Sequence, residues 1–308
     1  MPYAHNWFLG VQRNLASGIV IDANYLGSAG RGLHNAYNIN RYIGDLVDGR
    51  QDGFNPSFSN INWITSTSQS IYHGATVSAR RTFHQGFMVQ GAYTIGRALD
   101  DADAAVGATN YQDAANIQAD RAVAGYDARH KVSLAGLWEV PFFKNSSGLG
   151  HRVVGGWQFA GYAIIQSGAP LNVTNAAAFP RGDFNADGNG GDRPNAPASS
   201  VKQSGWSTDE YLQGIFRVSD FPVPAAGQNG NLPRNAFRGP GFAEVSLSLS
   251  KKVAVTTGVS AEVRLDAFNA FNRVNLGDPI MDLNNNNFGR STTQLAPRAL
   301  QIGLRLRY

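Results

Sequence analysis

The chain has 308 residues, of which 16% are charged and 11% aromatic, and it carries 35 glycines, no cysteine and a formal net charge of +4. Such sparse charge and abundant glycine favour a β-rich protein that is embedded in a membrane or secreted. The lack of cysteine excludes disulfides and Cys-based metal or redox sites in this chain. Scattered basic residues argue against nucleic-acid binding, and no apolar run is long enough for a membrane helix.

Nine segments alternate between apolar and polar residues, which is the period of a strand whose two faces meet different surroundings. The last segment is the clearest, because Leu300, Ile302, Leu304, Leu306 and Tyr308 alternate without a break against polar residues and glycine. In chain order, the predicted strands lie at about residues 7–12, 19–25, 71–83, 87–95, 130–140, 157–166, 245–255, 259–267 and 300–308.

The connections between these strands alternate strictly between short turns and long segments rich in Gly, Asn, Ser and Pro. The long segments predict loops at about residues 27–68, 99–126, 175–240 and 277–293. Membrane β-barrels have short periplasmic turns and long extracellular loops, joined by strands of about 9 to 11 residues. A soluble sandwich has no reason to place every long loop at one end. The pattern therefore predicts an all-β, antiparallel transmembrane β-barrel.

Two sets of side chains fit such a wall. Aromatic residues beside the short turns and the C-terminus predict a girdle at one membrane interface: Phe83, Phe87, Trp138, Phe142, Phe143, Trp157 and Tyr308. Charged residues on the polar faces of the strands are predicted to line a water-filled lumen: Arg80, Glu139, Glu244, Glu262, Arg264, Asp266, Arg305 and Arg307. Any water-filled wall needs such residues, so they identify no substrate.

The number of strands predicts that the barrel is larger than this chain. Counting back through nine strands from a periplasmic C-terminus puts Met1 on the extracellular side, whereas bacterial single-chain barrels have even strand numbers. The first residues also have neither the basic nor the apolar region of a signal peptide. We therefore expect residues 1–308 to be the C-terminal portion of one barrel domain, with the signal peptide and plug absent.

Several strand and turn motifs resemble the C-terminal barrel half of Oar-like TonB-dependent outer-membrane receptors, which are abundant in Acidobacteria. The matching stretches are QGAYTIGRALDD at 90–101, DARHKVSLAGLWEVPF at 127–142, GWQFAGYAIIQSGAPLNVT at 156–174, RLDAFNAFNRVN at 264–275, and the segment from Phe288 through the terminal RALQIGLRLRY. Together they cover essentially the whole chain.

The resemblance implies a 22-stranded barrel, an N-terminal plug, a carboxypeptidase-regulatory-like domain and a segment contacted by TonB. It implies as partners the outer-membrane lipid, the missing N-terminal barrel half with its plug, the TonB system, the assembly machinery and an unknown solute. The alternating terminal strand with Leu304, Leu306 and Tyr308 resembles the signal that the outer-membrane assembly machinery reads. The expected location is the bacterial outer membrane.

One loop motif predicts a possible calcium site. Oxygen-bearing side chains alternate at Asp183, Asn185, Asp187 and Asn189, with glycine at the turn, as in the first half of a calcium loop. A proline stands at the twelfth position, where a bidentate Glu is usual, and Asp192 would have to replace it in a shorter loop. Clusters of Asn, Asp and Gly also form ordinary turns, so both interpretations stay open.

No motif predicts catalysis. The six histidines lack the HExxH spacing of a metalloprotease, and no GxSxG nucleophile elbow occurs. The sequence therefore predicts the wall and loops of a receptor that imports a solute, without an enzymatic role and without a cofactor other than the possible calcium. Two alternatives remain: a small self-closing barrel or adhesin with a surface-binding role, and a secreted soluble β-domain.

Overall fold

The computed structural model describes residues 1–15, 18–102, 111–142, 155–256 and 258–308. Its regular structure is almost entirely β-sheet. The strands are β1 (Tyr3–Asn14), β2 (Ile19–Asn38), β3 (Asn62–His84), β4 (Phe87–Asp100), β5 (Ala122–Val123), β6 (His130–Glu139), β7 (Trp157–Gln166), β8 (Pro170–Leu171), β9 (Phe237–Arg238), β10 (Phe242–Thr256), β11 (Val259–Phe268) and β12 (Ala299–Arg307).

Helical structure in the described residues is limited to the long connections. One α-helix, α1, spans Thr208–Gln213, and short 3-10 helices span Ile117–Asp120 and Val218–Asp220. Within the ranges given above, no helix has the length and apolar character needed to span a membrane.

The long strands form one antiparallel sheet in the order β1-β2-β3-β4-β6-β7-β10-β11-β12. These nine strands correspond one to one with the nine that the alternating pattern predicts. The short strand β5 pairs with the end of β4, and β8 and β9 form a separate two-stranded ribbon. Every long strand is therefore next to the strand that precedes it among the nine, as in an up-and-down barrel wall.

The turn between β3 and β4 confirms the predicted hairpin at residues 84–86. Gln85 and Gly86 both have positive φ angles, 53° and 79°. A two-residue turn with two positive φ angles matches the twist of the flanking strands. The other three predicted short turns, near residues 15–18, after Pro141 and at 256–258, each include positions outside the described residues. Phe143 of the predicted girdle also lies outside them.

The predicted loop at 27–68 is too long at both ends. β2 continues to Asn38 and β3 begins at Asn62, so the connection is only residues 39–61. Gly and Asn are poor strand formers, which hides the alternation in residues 27–38. Residues 62–68 (NWITSTS) contain the strand formers Trp, Ile and Thr, which the prediction overlooked. Pairing between the two strands supplies the backbone hydrogen bonds regardless. At 20 and 23 residues, both strands exceed the roughly 9 to 11 that cross a bilayer, so they project beyond it.

The pairing register separates a polar face from an apolar face, because directly paired residues point to the same side of a sheet. Following the pairs from strand to strand places all eight predicted lumen residues on one face. Glu262, for example, lies between Lys252 and Arg305. On the opposite face, Leu265 and Ile302 are paired and are 41% and 78% exposed. A large exposed apolar face of this kind suits contact with lipid.

Candidate functional site in the loop cap

The long connections all leave the same end of the antiparallel sheet and pack together. We call residues 39–61, 101–102, 111–129, 167–241 and 269–298 the loop cap. The cap contains its own hydrophobic core, made of Leu171, Val173, Phe184, Phe216, Phe221, Leu232, Phe237, Leu283 and Phe288. The cap is therefore a folded structure above the wall.

Phe216 lies at the centre of this core. Its ring centroid is 4.6 Å from that of Phe237 and 5.2 Å from that of Phe221. Phe237 is only 2% exposed, and burying one such side chain contributes roughly 1.5 to 3 kcal/mol. Because these residues follow no strand or helix period, the sequence alone predicts the segment only as irregular.

Helix α1 adds a buried tyrosine to the cap. Its first turn is held by Ser207, whose hydroxyl accepts a hydrogen bond from the Glu210 backbone N–H (3.2 Å), while the Glu210 carboxylate accepts one from the Ser207 N–H (2.6 Å). The hydroxyl of Tyr211 donates to the Arg238 carbonyl at 3.1 Å, and burial raises the pKa of that hydroxyl.

Three ion pairs join the loops of the cap to one another and, through Asp100, to the rim of the sheet; two are buried, and the Arg238 side chain of the third is 24% exposed. They join arginines of the 167–241 loop to aspartates between the end of β4 and the start of β6: Arg193 with Asp120, Arg234 with Asp100, and Arg238 with Asp127. The Arg234 guanidinium also donates to the carbonyl oxygens of Asp100 and Asp120, each at 2.9 Å. Losing one partner of such a pair leaves a buried charge uncompensated, which costs about 3 to 5 kcal/mol.

The predicted calcium residues lie in one buried loop of the cap. Asp183, Asp187 and Asp192 are 2%, 3% and 2% exposed. The Asn185 side chain serves the fold, because its amide donates to the Gln112 carbonyl at 2.5 Å and thereby connects two loops. The predicted residues are therefore held within one loop.

The carboxylates of this loop accept hydrogen bonds from backbone N–H groups, and that of Asp187 also accepts one from a side-chain amide. Asp183 accepts from the N–H of Gly188 (2.8 Å), Asp192 from that of Asn185 (2.9 Å), and Asp187 from the N–H and side chain of Asn189 (2.7 and 3.2 Å). Burial is the largest cause of the raised pKa values, about 6 for Asp187 and about 7 for Asp192.

In the part of the chain that the structure describes, no group of three or more His, Cys, Asp or Glu side chains has an arrangement that could hold a metal ion. Calcium binding by this loop therefore stays a prediction. Binding would need the carboxylates to turn towards a common centre, and their high pKa values mean that protons compete with the ion near neutral pH.

A cavity beside this loop is the best candidate site for a small ligand. It has a volume of about 320 Å³ and is lined by Arg41, Tyr42, Phe54, Asp113 and Asp187 among others. The rings of Tyr42 and Phe54 are 5.1 Å apart, and both side chains are exposed, at 40% and 71%. Small-molecule sites commonly have volumes of about 300 to 1,000 Å³ and combine aromatic walls with a few polar groups.

The outward face carries an aromatic belt that the sequence analysis missed. Trp7, Tyr25 and His73 cluster on three adjacent strands, and the Tyr25 hydroxyl is 2.7 Å from His73 Nδ1. His130, at the same end of the sheet, makes a matching contact with a tyrosine of β4. His130 is eight residues from Trp138, or about 26 Å along the strand at 3.3 Å per residue. Strands in such walls are tilted by about 35 to 45°, so this length spans roughly 20 Å of height, which approaches the apolar band of about 25 Å that has a girdle at each edge.

A polar-lined wall, an apolar outer face with two aromatic belts and long loops at one end define an outer-membrane β-barrel protein. The sequence profile of the outer membrane beta barrel domain family matches residues 1–301, and the chain belongs to that family. The protein is therefore located in the bacterial outer membrane, and the soluble alternative is wrong.

The solved structure of an outer-membrane transporter supports the fold, and two others are similar over the same length. The outer membrane transporter YddB from Escherichia coli has a TM-score of 0.55 at 9% identity over 99% of this chain. FpvA of P. aeruginosa has a TM-score of 0.47 at 13% identity, and the ferric citrate transporter FecA has 0.45 at 14%, each over 99% of this chain. The chain spans only 32%, 27% and 31% of these three structures, respectively. No match is found among curated proteins.

Proposed function

We propose that this chain forms part of the wall and the outer loops of a TonB-dependent receptor that binds a solute and imports it. The observation that carries the proposal is the loop cap, which has its own buried core and internal ion pairs and is tied by the Arg234–Asp100 pair to the rim of a wall with a polar inner face. A folded cap above a polar channel suits selective capture better than a merely structural wall does.

We further propose that the receptor is Oar-like, on the strength of the strand motifs at 90–101 and 264–275. The partners would then be the remaining strands of a larger barrel, a plug domain, the TonB system and the assembly machinery that reads the terminal strand. The chain itself would carry out no catalysis. In the described residues each terminal strand of the sheet, β1 and β12, has only one strand neighbour, which is consistent with further strands completing the wall.

The solute would first contact the cavity at Tyr42 and Phe54. Two exposed rings supply apolar contact area, and Arg41 and Asp113 add charges of both signs at the same cavity. Exposed aromatic pairs on a rigid scaffold are common anchors for ligands because they lose little conformational entropy on binding.

An uptake experiment tests the proposal. Depletion of solutes from the medium is compared for wild-type cells, a strain lacking the gene and a strain lacking TonB. If the protein is such a receptor, we expect at least one solute that only the wild-type cells remove. Replacing Tyr42 and Phe54 together by Ala should weaken uptake of that solute at low concentration, whereas Phe58→Ala, which removes a 56% exposed ring of the same loop, should not. A solute set that is depleted equally by all three strains would contradict the proposal.

The size of the native polypeptide tests the larger barrel separately. An immunoblot of outer membranes with an antibody against residues 175–240 should detect a band several hundred residues longer than this chain. A band at the 33.0 kDa of the chain would instead support the small self-closing barrel.

A further inference from the structure

The outward, lipid-facing side of the sheet contains a groove beside the short turns. Gly136 of β6 and Gly161 of β7 are directly paired, and neither places a side chain on this face. The groove above them has a volume of about 430 Å³ and is walled by Trp138, Phe159 and Leu247 among others. Its walls are almost wholly apolar, and its volume lies within the range of small-molecule sites, about 300 to 1,000 Å³.

A cation stands at the short-turn end of this groove. Lys251 of β10 is paired with Trp157, and its ammonium nitrogen lies 4.8 Å from the centroid of the indole ring. Leu249 and Leu247, which line the groove, follow Lys251 at successive outward positions of the same strand. Since two residues advance a strand by about 6.6 Å, the Lys251 backbone lies one such step beyond Leu249, towards the short turns.

A second cation marks the same rim. The Arg81 guanidinium carbon lies 5.4 Å from the ring centroid of Phe87, which also lines the groove. Among the described residues, the Arg81 Nε atom is buried and has no hydrogen-bond partner. The strand register defines which residues of β4, β6, β7 and β10 face outward. Between residues 87 and 253, none of these outward residues is an Asp or a Glu. The rim therefore combines positive charge with an adjoining apolar groove.

We propose that this groove is a binding site for an anionic phospholipid of the membrane leaflet on the short-turn side. One acyl chain lies over Gly136 and Gly161, between the walls of Trp138 and Leu247. The lipid phosphate binds the Lys251 ammonium, which the Trp157 ring holds at the interface. An ammonium group is a strong point-charge partner for phosphate, and the lysine stem can lie along apolar surface while its head stays at the interface.

The experiment is native mass spectrometry of the protein as purified from outer membranes and loaded with phosphatidylglycerol or phosphatidylethanolamine. Lys251→Gln should lower the retained phosphatidylglycerol about five-fold, the effect of one basic residue at an anionic membrane surface, and should change phosphatidylethanolamine little. Lys252→Gln is the matched control, because Lys252 is the next residue and faces the polar side beside Glu262.

A second pair of variants tests the groove itself. Gly136→Leu should abolish the tightly retained fraction of both lipids, whereas Ala75→Leu, on the outward face of β3, should leave it unchanged. A Cβ at Gly136 would meet its nearest neighbours at 3.5 and 3.9 Å, which is ordinary contact, so the backbone accepts a side chain here and the rest of the leucine would occupy the groove. Wild-type retention of phosphatidylglycerol in both Lys251→Gln and Gly136→Leu, or equal losses in Lys251→Gln and Lys252→Gln, would overturn the proposal.

Discussion

Replacing Arg234 by Ala should open the loop cap without unfolding the barrel wall. The side chains of Arg234 and Asp100 are both 8% exposed, so the substitution leaves a buried carboxylate without its cation. It also removes donors from the carbonyl oxygens of Asp100 and Asp120. Breaking a buried pair in this way costs about 3 to 5 kcal/mol.

The consequence is local, because the energy of this contact belongs to the cap and not to the strand ladder of the wall. At about 1.4 kcal/mol per factor of ten, a loss of 3 kcal/mol raises the population of the open cap by about two orders of magnitude. When opening and closing are faster than cleavage, proteolysis follows that population. The assay is therefore limited proteolysis of intact outer-membrane vesicles, with cleavage within residues 167–241 measured over time.

An exposed ion pair of the same loop supplies the control. Lys202 and Glu210 are joined at 3.3 Å, and their side chains are 46% and 47% exposed. Such a pair contributes roughly 0 to 1 kcal/mol, so Lys202→Ala should change the cleavage rate less than about five-fold. The double variant Arg234→Ala/Asp100→Asn should recover part of the loss, because it removes the orphaned charge. Equal cleavage rates for Arg234→Ala and Lys202→Ala would refute the reasoning.

Three further predictions follow from the loop acids, the sheet faces and the terminal strand. The folded cap retains protons on Asp187 and Asp192, whose pKa values are about 6 and 7 against 3.8 when unperturbed. Its resistance to proteolysis should thus fall as the pH rises from about 4 to 7, and calcium should restore it relative to EDTA only if the loop binds the ion. A water-soluble maleimide should label Asp266→Cys, on the polar face, much faster than Leu265→Cys, and equal rates would contradict the two-faced wall; the chain has no cysteine of its own. Tyr308→Ala should reduce the folded protein in outer-membrane fractions several-fold on immunoblots, whereas wild-type amounts would reject the assembly signal.

The sequence alone is sufficient to predict the wall. One face of each strand contacts lipid and the other contacts polar groups, so apolar and polar residues alternate along the strand. The terminal strand shows this pattern over its whole length, and the turn at 84–86 carries the glycine that a positive φ angle favours. The number of strands and the sharing of one face by the eight charged residues follow from that periodicity.

The ends of the strands are less predictable from the sequence. Residues 27–38 are rich in Gly and Asn, and residues 62–68 (NWITSTS) are too short a run to show a period when considered by themselves. They become strands because each supplies the other's backbone hydrogen bonds beyond the membrane. In these segments the backbone pairing that begins inside the bilayer and continues outwards determines the structure, and the low strand propensity of the individual residues does not prevent it.

Only the tertiary structure reveals the loop cap. Arg234 and Asp100 are 134 positions apart in the chain, and Phe216 meets Phe288 across two different loops. Neither contact has a sequence period, because irregular backbone directs each side chain individually. The groove at Gly136 and Gly161 likewise depends on the register of two strands, which brings the glycines together. The sequence therefore determines which face meets lipid, while long-range contacts decide where ligands can bind.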